Sequence, residues 1–412
     1  MFASATLGEV IPTVSFFKKH IPEKSVLSVV IGSGAVHFGL ALLPLGKVGT
    51  LVWQNVERFP FQQDVSLDKL ESHVFEALAR GSGELLKDGL SHMASHSLKK
   101  GRIDEIHVLY ASPWFVSQAK ALTVKHEKPF VVTEEVVKNI VHTEADALVK
   151  DSVDKKIFSS DMSIIEERIT DIMLNGYSVQ DPYGKKTENL MLTVFVSAVG
   201  KVFREKVEST LARFVHGENI QHHSFPVAFF STVRDIFAAG KDFLMLYVGD
   251  ELTDVTYARG ESLRDTASFP IGRAGLIRMI VEDLKCLPEE AASFLSVKHT
   301  QNLKEPTKAK VQQALEKAAG VWAGNVRETL AGFLPQGGLP RALFLVPPQE
   351  ADVFKLALER GDWFGKTTAS IFDVNTMSGH ALEPFLKASG NVRQVGAHAG
   401  VGTLYAQKTT TK

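Results

Sequence analysis

The sequence predicts an α/β protein built from two related lobes, with a small α+β subdomain inserted into the first lobe. A strand–turn–strand pattern over Val26–Leu43 recurs at residues 243–258, and each copy is followed by a third strand and a helix. The stretch from about Ser112 to Lys186 differs in character from both copies. The predicted division is residues 1–111 for the start of the first lobe, 112–188 for the inserted subdomain, 189–215 for the end of the first lobe with a bridging helix, and 216–412 for the second lobe.

The first lobe opens with apolar, β-branched runs on both sides of a glycine-containing turn at Gly32–Gly34, which predicts a strand pair. A third strand is expected at Val48–Val56. Residues 103–110 read as a buried strand that adds in parallel to the same sheet. Before that strand the spacing predicts a helix with these apolar residues on one face: Leu67, Leu70, Val74 and Leu78.

The inserted segment carries a helix start at Thr133, whose hydroxyl can cap free N–H groups and which precedes two acids at the positive end of the helix dipole. Strands are expected over Ile164–Leu174 and Leu190–Val196, with turn chemistry at Asp181–Gly184 between them. An amphipathic helix expected to bridge the two lobes follows, with apolar residues Val202, Phe203, Val207, Leu211 and Phe214.

The second lobe repeats the scheme with a strand pair at 243–258, a strand near Arg264–Pro270 and helices across Ala274–Leu284. Apolar residues from Val311 to Leu330 recur at three to four residues and predict a long helix with one buried face. A buried strand is expected at Arg341–Val346. The last residues, 407–412, read as a frayed polar tail.

Composition excludes several classes of protein. The 46 Lys and Arg residues nearly balance 47 Asp and Glu residues, so no global field would attract nucleic acid or an anionic membrane. Cys286 is the single cysteine and cannot form an internal disulfide, and the N-terminus does not read as a signal peptide, which together indicate a reducing cytoplasm. The uncharged stretch Ser25–Gly46 is interrupted by glycines and rich in β-branched residues, which favours two strands over a membrane span.

The two predicted hairpin tips are the candidate binding sites. Glycine lets a backbone approach a ligand closely, although a glycine in a turn needs no ligand. Thr253 and Asp254 either contact phosphate or a magnesium-bound water, or stabilise the turn as a pair. Asp250 and Glu251 are interpreted as solvated tip acids. The candidate site residues are Gly32, Ser33, Gly34, Gly249, Thr253, Asp254 and Gly272.

No catalytic residue or metal site is predicted. His222 and His223 lack further ligands at a suitable spacing and are interpreted as surface loop. No Ser-His-Asp, P-loop or Cys-x-x-Cys pattern is present in the sequence. An apolar and basic N-terminal segment contains Phe16 and Phe17, and two prolines limit any helix in it, which favours packing onto the first sheet over a membrane contact.

The order of these parts resembles the actin-like ATPase superfamily, and within it the FtsA cell-division and PilM pilus-assembly type. The most specific stretch is Asn175–Gly184, reading Asn-Gly-Tyr-Ser-Val-Gln-Asp-Pro-Tyr-Gly, and the strand and helix after it. The helix start at Thr133-Glu134-Glu135-Val136 is similar to one in the inserted subdomain of FtsA. The resemblance extends from about Val26 to about Gln349 and implies an actin-like, ribonuclease H-like, duplicated fold with ATP between the lobes.

Three ATP motifs of the superfamily are altered in this sequence. The first loop normally begins Asp-Ile-Gly, whereas here Val30 takes the place of the acid. The second loop normally reads Asp-x-Gly-Gly, whereas here Tyr247 replaces the acid and Asp250 the second glycine. The adenosine strand normally ends Gly-Gly, whereas here it ends in two prolines, and Gly272 is followed by Arg273 in place of a second glycine. These changes favour a pseudo-ATPase that retains the fold, with ATP and magnesium as possible but weakened ligands.

The resemblance implies a cytoplasmic scaffold, peripheral at the inner face of the membrane, that links an assembly to division or pilus machinery. Its implied partners are proteins of that machinery and further copies of itself, with no nucleic acid and only indirect membrane contact. Proteins of the FtsA type carry a C-terminal amphipathic helix as a membrane anchor. No counterpart of that helix is recognised in this sequence. The alternatives are an active Mg-ATP-dependent switch and, less favoured, a sugar-kinase-like transferase, for which no catalytic base is identifiable.

Overall fold

The computed structural model describes residues 23–96, 103–154, 161–214, 219–238, 240–333, 338–348, 352–361, 363, 372–389 and 392–410. In chain order the strands are β1 (Glu23–Ile31), β2 (Ala35–Pro44), β3 (Gly49–Arg58), β4 (Glu105–Tyr110), β5 (Phe115–Val131), β6 (Met162–Leu174), β7 (Tyr177–Ser178), β8 (Lys186–Gly200), β9 (Ile220–Ser224), β10 (Phe243–Val248), β11 (Thr253–Arg259), β12 (Ser262–Phe269), β13 (Ala342–Val346), β14 (Asp373–Thr376) and β15 (Leu386–Ala388).

The helices are α1 (Leu67–Glu84), α2 (Leu90–His96), α3 (Glu134–Asp154), α4 (Lys201–Leu211), α5 (Phe225–Ile236), α6 (Arg273–Leu284), α7 (Pro288–Phe294), α8 (Val297–Gln301), α9 (Thr307–Phe333), α10 (Asp352–Arg360), α11 (Gly379–Leu382) and α12 (Ala397–Thr410). A π-helical turn, Leu85–Gly89, joins α1 to α2, and a 3₁₀ turn, Ala212–Phe214, ends α4. The predicted N-terminal segment lies outside the described residues.

The first sheet has the order β15-β3-β2-β1-β4-β9. Strands β1 to β3 are antiparallel, β4 and β9 add in parallel on one side, and β15 adds in parallel on the other. Side chains of a strand point alternately to the two faces. Leu27, Val29 and Ile31 therefore pack with α1 and α4, whereas Val30 and Val26 face the clusters that contain α12 residues. Both faces of this sheet are covered.

The second sheet repeats that arrangement with the order β12-β11-β10-β13-β14. Strands β10 to β12 are antiparallel, as the recurring strand–turn–strand pattern predicted, and β13 and β14 add in parallel. Leu244, Leu246 and Val248 pack against α6, α9 and α10. The two lobes therefore share one construction: an antiparallel strand trio extended in parallel from its first strand.

The inserted subdomain is a third, antiparallel sheet with the order β5-β8-β6-β7, covered by α3. Val136 N–H donates to Thr133 Oγ1 over 3.2 Å, so the predicted helix start is confirmed. The strand predicted at Leu190–Val196 is part of β8, which continues to Gly200. The subdomain sheet thus extends past residue 188, the predicted boundary, because β8 pairs with β5 and β6 along most of its length.

The predicted bridging helix does not join the lobes. The buried residues of α4 and the following turn, Phe203, Val207, Leu211 and Phe214, all belong to the core of the first lobe. The lobes are instead joined by α5 and α12, which pack between the sheets in a core that also holds Leu109 of β4 and Met245 of β10. Four of the five apolar residues predicted for this face are buried, whereas Val202 is 48% exposed, and an apolar stripe does not reveal which core receives it.

Three stretches within the predicted second lobe belong to the first sheet. Strand β9 pairs with β4, β15 pairs with β3, and α12 packs on the first sheet. Strand β9 has five residues and β15 has three, so the hydrophobic periodicity of each was too short to predict a strand. The predicted frayed tail is also wrong for residues 407–410, which continue α12, where Gln407 Nε2 donates to the Lys47 carbonyl over 3.0 Å.

Candidate functional site between the hairpin tips

Two hairpin tips of the same construction meet between the lobes. The Gly32 N–H donates to the Ala35 carbonyl over 3.0 Å and closes the turn between β1 and β2. The Gly249 N–H donates to the Leu252 carbonyl over 2.9 Å and closes the turn between β10 and β11. Each tip is therefore a tight turn held by its own backbone, at the end of a buried strand pair.

The tips are in direct contact. The Glu251 N–H donates to Ser33 Oγ over 3.0 Å. The Asp250 side chain lies against Gly34 so closely that a Cβ on Gly34 would be 1.7 Å from Asp250 Oδ2 and 2.3 Å from its Cβ. A Cβ on Gly249 would likewise be 2.7 Å from Ser33 Oγ. The glycines at the tips are thus required by the opposite lobe, because only a residue without a side chain leaves room for it.

Gly272 lies beneath the second tip, where α6 begins. A Cβ on Gly272 would be 2.3 Å from the Gly249 carbonyl oxygen. The first N–H groups of α6 donate to that tip: Arg273 N–H to the Gly249 carbonyl over 3.0 Å, and Ala274 N–H to the Asp250 carbonyl over 2.8 Å. Free N–H groups at a helix start are the usual donors to a phosphate. Here the tip's own carbonyls accept from them.

The two acids of the second tip are paired, so their interpretation as solvated residues is wrong. Glu251 forms hydrogen bonds of 2.5 and 3.2 Å with the guanidinium of Arg278, which also donates to the Gln62 carbonyl of the first lobe over 3.1 Å. Asp250 lies 3.6 Å from Arg273. Both arginines project from the first two turns of α6, so the helix that supports the tip also neutralises it.

Thr253 and Asp254 do not join the glycines in a common site. Thr253 Oγ1 donates to the Ile271 carbonyl over 2.7 Å and accepts from Trp322 Nε1 over 3.0 Å, inside the second lobe. Asp254 accepts from Ser268 Oγ over 2.7 Å and from the Ser112 N–H over 3.4 Å. Burial raises the pKa of Asp254, while these hydrogen bonds act in the opposite direction. Asp254 therefore connects β11 to the end of β4.

A cluster of aromatic side chains fills the space behind the tips. A Cβ on Gly32 would be 2.7 Å from the Tyr247 hydroxyl, and the Tyr247 ring lies 4.8 Å from Phe225 and 5.5 Å from His398, ring centroid to ring centroid. His398 stacks on His37 at 3.8 Å. Burial, together with Arg58 nearby, lowers the pKa of His398 to about 4, and burial raises the pKa of Tyr247. These groups are neutral at physiological pH.

The sequence matches no protein-family model and no curated protein. Among solved structures, the chain is similar to a PilM–PilN type IV pilus biogenesis complex, with a TM-score of 0.60 and 13% identity over 94% of this chain and 98% of that chain. This chain has an actin-like fold.

Weaker similarity to solved structures extends to two further proteins. The ethanolamine utilization protein EutJ from Carboxydothermus hydrogenoformans gives a TM-score of 0.42 at 10% identity, over 94% of this chain and 89% of that chain. A Bacteroides thetaiotaomicron protein described as having an actin-like ATPase fold and unknown function gives 0.38 at 9% identity, over 93% of this chain and 96% of that chain.

The residues at the tips of this actin-like fold do not fit magnesium-bound ATP. The place against Gly34 is taken by the Asp250 carboxylate, an anion that would repel a phosphate. The first two N–H donors of α6, those of Arg273 and Ala274, are satisfied by carbonyls of the tip. Tyr247, at the end of β10 beside the tip, has a neutral phenol that cannot supply a carboxylate to magnesium or to a magnesium-bound water. Among the described residues, no group of three or more His, Cys, Asp or Glu side chains could hold a metal ion.

The sequence analysis missed the residues that fill the cleft. Phe225, His37 and His398 are far apart in the sequence, and no local pattern indicates that they meet. His222 and His223 were predicted to lie in a surface loop. This prediction is wrong, because both residues belong to β9. The His222 Nδ1 lies 2.8 Å from the Tyr110 hydroxyl, and burial, with Arg204 nearby, lowers the pKa of His222 to about 3.

In the described part of the chain, no helix is both long and apolar enough to cross a membrane.

Proposed function

We propose that this chain is an actin-like scaffold of the PilM and FtsA kind that links a cytoplasmic assembly to membrane machinery without turning over ATP. The observation that carries the proposal is the Asp250 side chain packed against Gly34. In the actin-like superfamily the nucleotide holds the lobes together from between these tips. Here the two tips touch through protein atoms, which supports a closed arrangement of the lobes that depends on the chain's own contacts.

Several polar contacts support closure without a nucleotide. They join Ser33 to Glu251, Ser112 to Asp254, and Arg278 to the Gln62 carbonyl. A net contribution of about 0.5–1.5 kcal/mol is typical of each such hydrogen bond. They act together with the apolar core around α5 and α12, which is continuous from one sheet to the other.

The inserted subdomain is the proposed surface for neighbouring proteins. Its short strand β7, Tyr177–Ser178, lies at one edge of the sheet, and an edge strand can accept a further strand from a partner. Tyr177, beside the tight turn that ends β6, is 77% exposed. The pilus role is favoured over the division role because the structure superimposes, over nearly its whole length, on a chain from a pilus biogenesis complex.

Co-isolation from the producing organism tests the scaffold role. The tagged full chain should enrich membrane-associated pilus proteins, and Tyr177→Ser should reduce that enrichment. Leu287→Ser is the matched control, since Leu287 is 69% exposed on the second lobe, and it should leave enrichment unchanged. Enrichment of division proteins would transfer the role to division. No membrane-associated partner in any sample would contradict the scaffold role.

Phosphate release distinguishes the scaffold from the alternative, an active ATPase switch. The purified chain with Mg-ATP should release phosphate no faster than the Asp254→Ala variant. Asp254 is the buried acid at the second hairpin that remains from the superfamily's pattern. Steady turnover that Asp254→Ala abolishes would establish the switch and overturn the proposal.

A further inference from the structure

A groove of about 1150 Å³ lies at the end of the first sheet that is opposite the hairpin tips. Its walls come from the β2–β3 turn, the end of α5, the segment before β15, and α12. Residues lining it include Pro44, Leu45, Val48, Ile236, Phe385 and Leu404. The groove belongs neither to the cleft between the tips nor to the inserted subdomain.

Large apolar side chains are exposed in this groove. Leu45 is 59% exposed, Val48 39% and Phe385 37%. Single exposed apolar residues are ordinary, but several around one concave surface indicate a binding site. Phe385 is supported from behind by Phe237, whose ring centroid lies 6.0 Å away, so the wall is built from packed aromatic rings.

The described chain begins at the rim of this groove. Strand β1 starts at Glu23, which pairs directly with Pro44 in the antiparallel β1–β2 ladder. Directly opposed residues in such a ladder lie about 4.5–5.5 Å apart, Cα to Cα. The 22 residues before Glu23 therefore connect to the fold beside Pro44 and Leu45. They include an apolar run with Val10, Ile11, Val14, Phe16 and Phe17.

We propose that this apolar run, residues 10–17 of the chain itself, binds in the groove. Five residues separate Phe17 from Glu23, and an extended chain covers about 3.3–3.6 Å per residue, so Phe17 can lie up to about 20 Å from Glu23 and its partner Pro44 at the rim. Attachment through Glu23 makes binding intramolecular, with an effective concentration of about millimolar for a short connection. The attached segment therefore outcompetes a separate peptide of similar composition and affinity for the groove, unless that peptide is present at a higher concentration.

Limited trypsin digestion of the full chain tests this assignment. Lys18 and Lys19 directly follow the apolar run, and cleavage there tracks the fraction of molecules whose segment is released. Leu45→Asp places a charge in the groove at an exposed position, so the fold should be retained. It should accelerate cleavage after Lys18 and Lys19 by about tenfold or more, since a charge opposes burial of the apolar run. Leu287→Asp, at a 69% exposed position on the second lobe, should leave the rate unchanged.

A second variant tests the other side of the contact. Phe16→Ser combined with Phe17→Ser should accelerate the same cleavages in an otherwise native chain. Equal rates in the native chain and in Leu45→Asp, whether fast or slow, would overturn the assignment. Protection that appears only with added lipid vesicles, or only as protein concentration rises, would overturn it in favour of a membrane surface or a second copy. None of these readouts involves nucleotide or a partner protein.

Discussion

Gly34 shows at the scale of one residue why the tips carry glycine. Its missing Cβ is the space that Asp250 of the other lobe fills. We expect Gly34→Ala to destabilise the protein by about 1–3 kcal/mol, because the Asp250 Cβ as well as its carboxylate must move. Chemical denaturation measures the change.

Two companion variants make this prediction specific. Gly83→Ala, in α1 with no atom within 4 Å of the added Cβ, should be neutral or stabilising by about 0.5–1 kcal/mol. Asp250→Ala in the Gly34→Ala background should recover part of the loss. If Gly34→Ala proves as harmless as Gly83→Ala, the tips do not touch in solution.

The stacked His37 and His398 make stability depend on pH. The His398 imidazole titrates near 6.5 when unfolded but at about 4 in the folded chain. Between those values the unfolded state binds more protons, so the free energy of unfolding rises with pH and its His398 contribution is lost as pH falls from 6.5 to about 4. His398→Phe keeps a ring on His37 and should reduce this dependence, leaving the part due to His37, whose pKa burial also lowers. Denaturation curves across that pH range provide the measurement, and equal slopes would contradict the burial of His398.

Residue chemistry at the tips could be predicted from sequence only in part. Tyr247 at the end of the strand and the acid Asp250 at the tip are visible in the sequence. Where Asp250 points is not visible, because its neighbour Gly34 is over 200 positions away. A tip acid is usually solvated, and the partners that desolvate this one come from α6 and the opposite lobe.

At the scale of elements, α5 and not α4 connects the lobes. Phe225 on α5 lies 4.8 Å from Tyr247 of β10 and 5.9 Å from His398 of α12, ring centroid to ring centroid. We expect Phe225→Ala to cost about 3–5 kcal/mol and to increase amide hydrogen exchange in both β1 and β10.

Phe203→Ala on α4 is the matched comparison. Phe203 lies 4.8 Å from Trp114 and 5.5 Å from Phe75, both in the first lobe. Loss of the Phe203 side chain should increase amide hydrogen exchange in the first sheet and leave the exchange rates in β10 unchanged. Equal exchange in β10 for the two variants would return the connecting role to α4.

Elements with strong local signals were predicted from sequence. The strand predicted at Ile164–Leu174 lies within β6, and the Asn175–Gly176 pair after it, with φ of 50° and 89°, forms the two-residue turn to β7. Strand β9 was missed because four of its five residues are polar, and its histidines are buried through contacts with β4, α4, β6 and α12. Burial of polar residues depends on tertiary partners that a single segment does not reveal.

For the whole molecule, the duplicated sheets followed from the repeated strand–turn–strand pattern, and the closed cleft did not. Each hairpin carries its own apolar alternation, which is local information. Contact between the tips depends on how α5 and α12 set the two sheets relative to each other. That packing involves residues from many separate segments.

The most direct test of the closed, nucleotide-independent cleft is calorimetric titration of the full chain with Mg-ATP. Because Asp250 fills the place beside Gly34 and the α6 N–H groups are satisfied, we expect no saturable heat up to millimolar nucleotide. Saturable binding with micromolar affinity would show that nucleotide displaces Asp250 and would contradict the account.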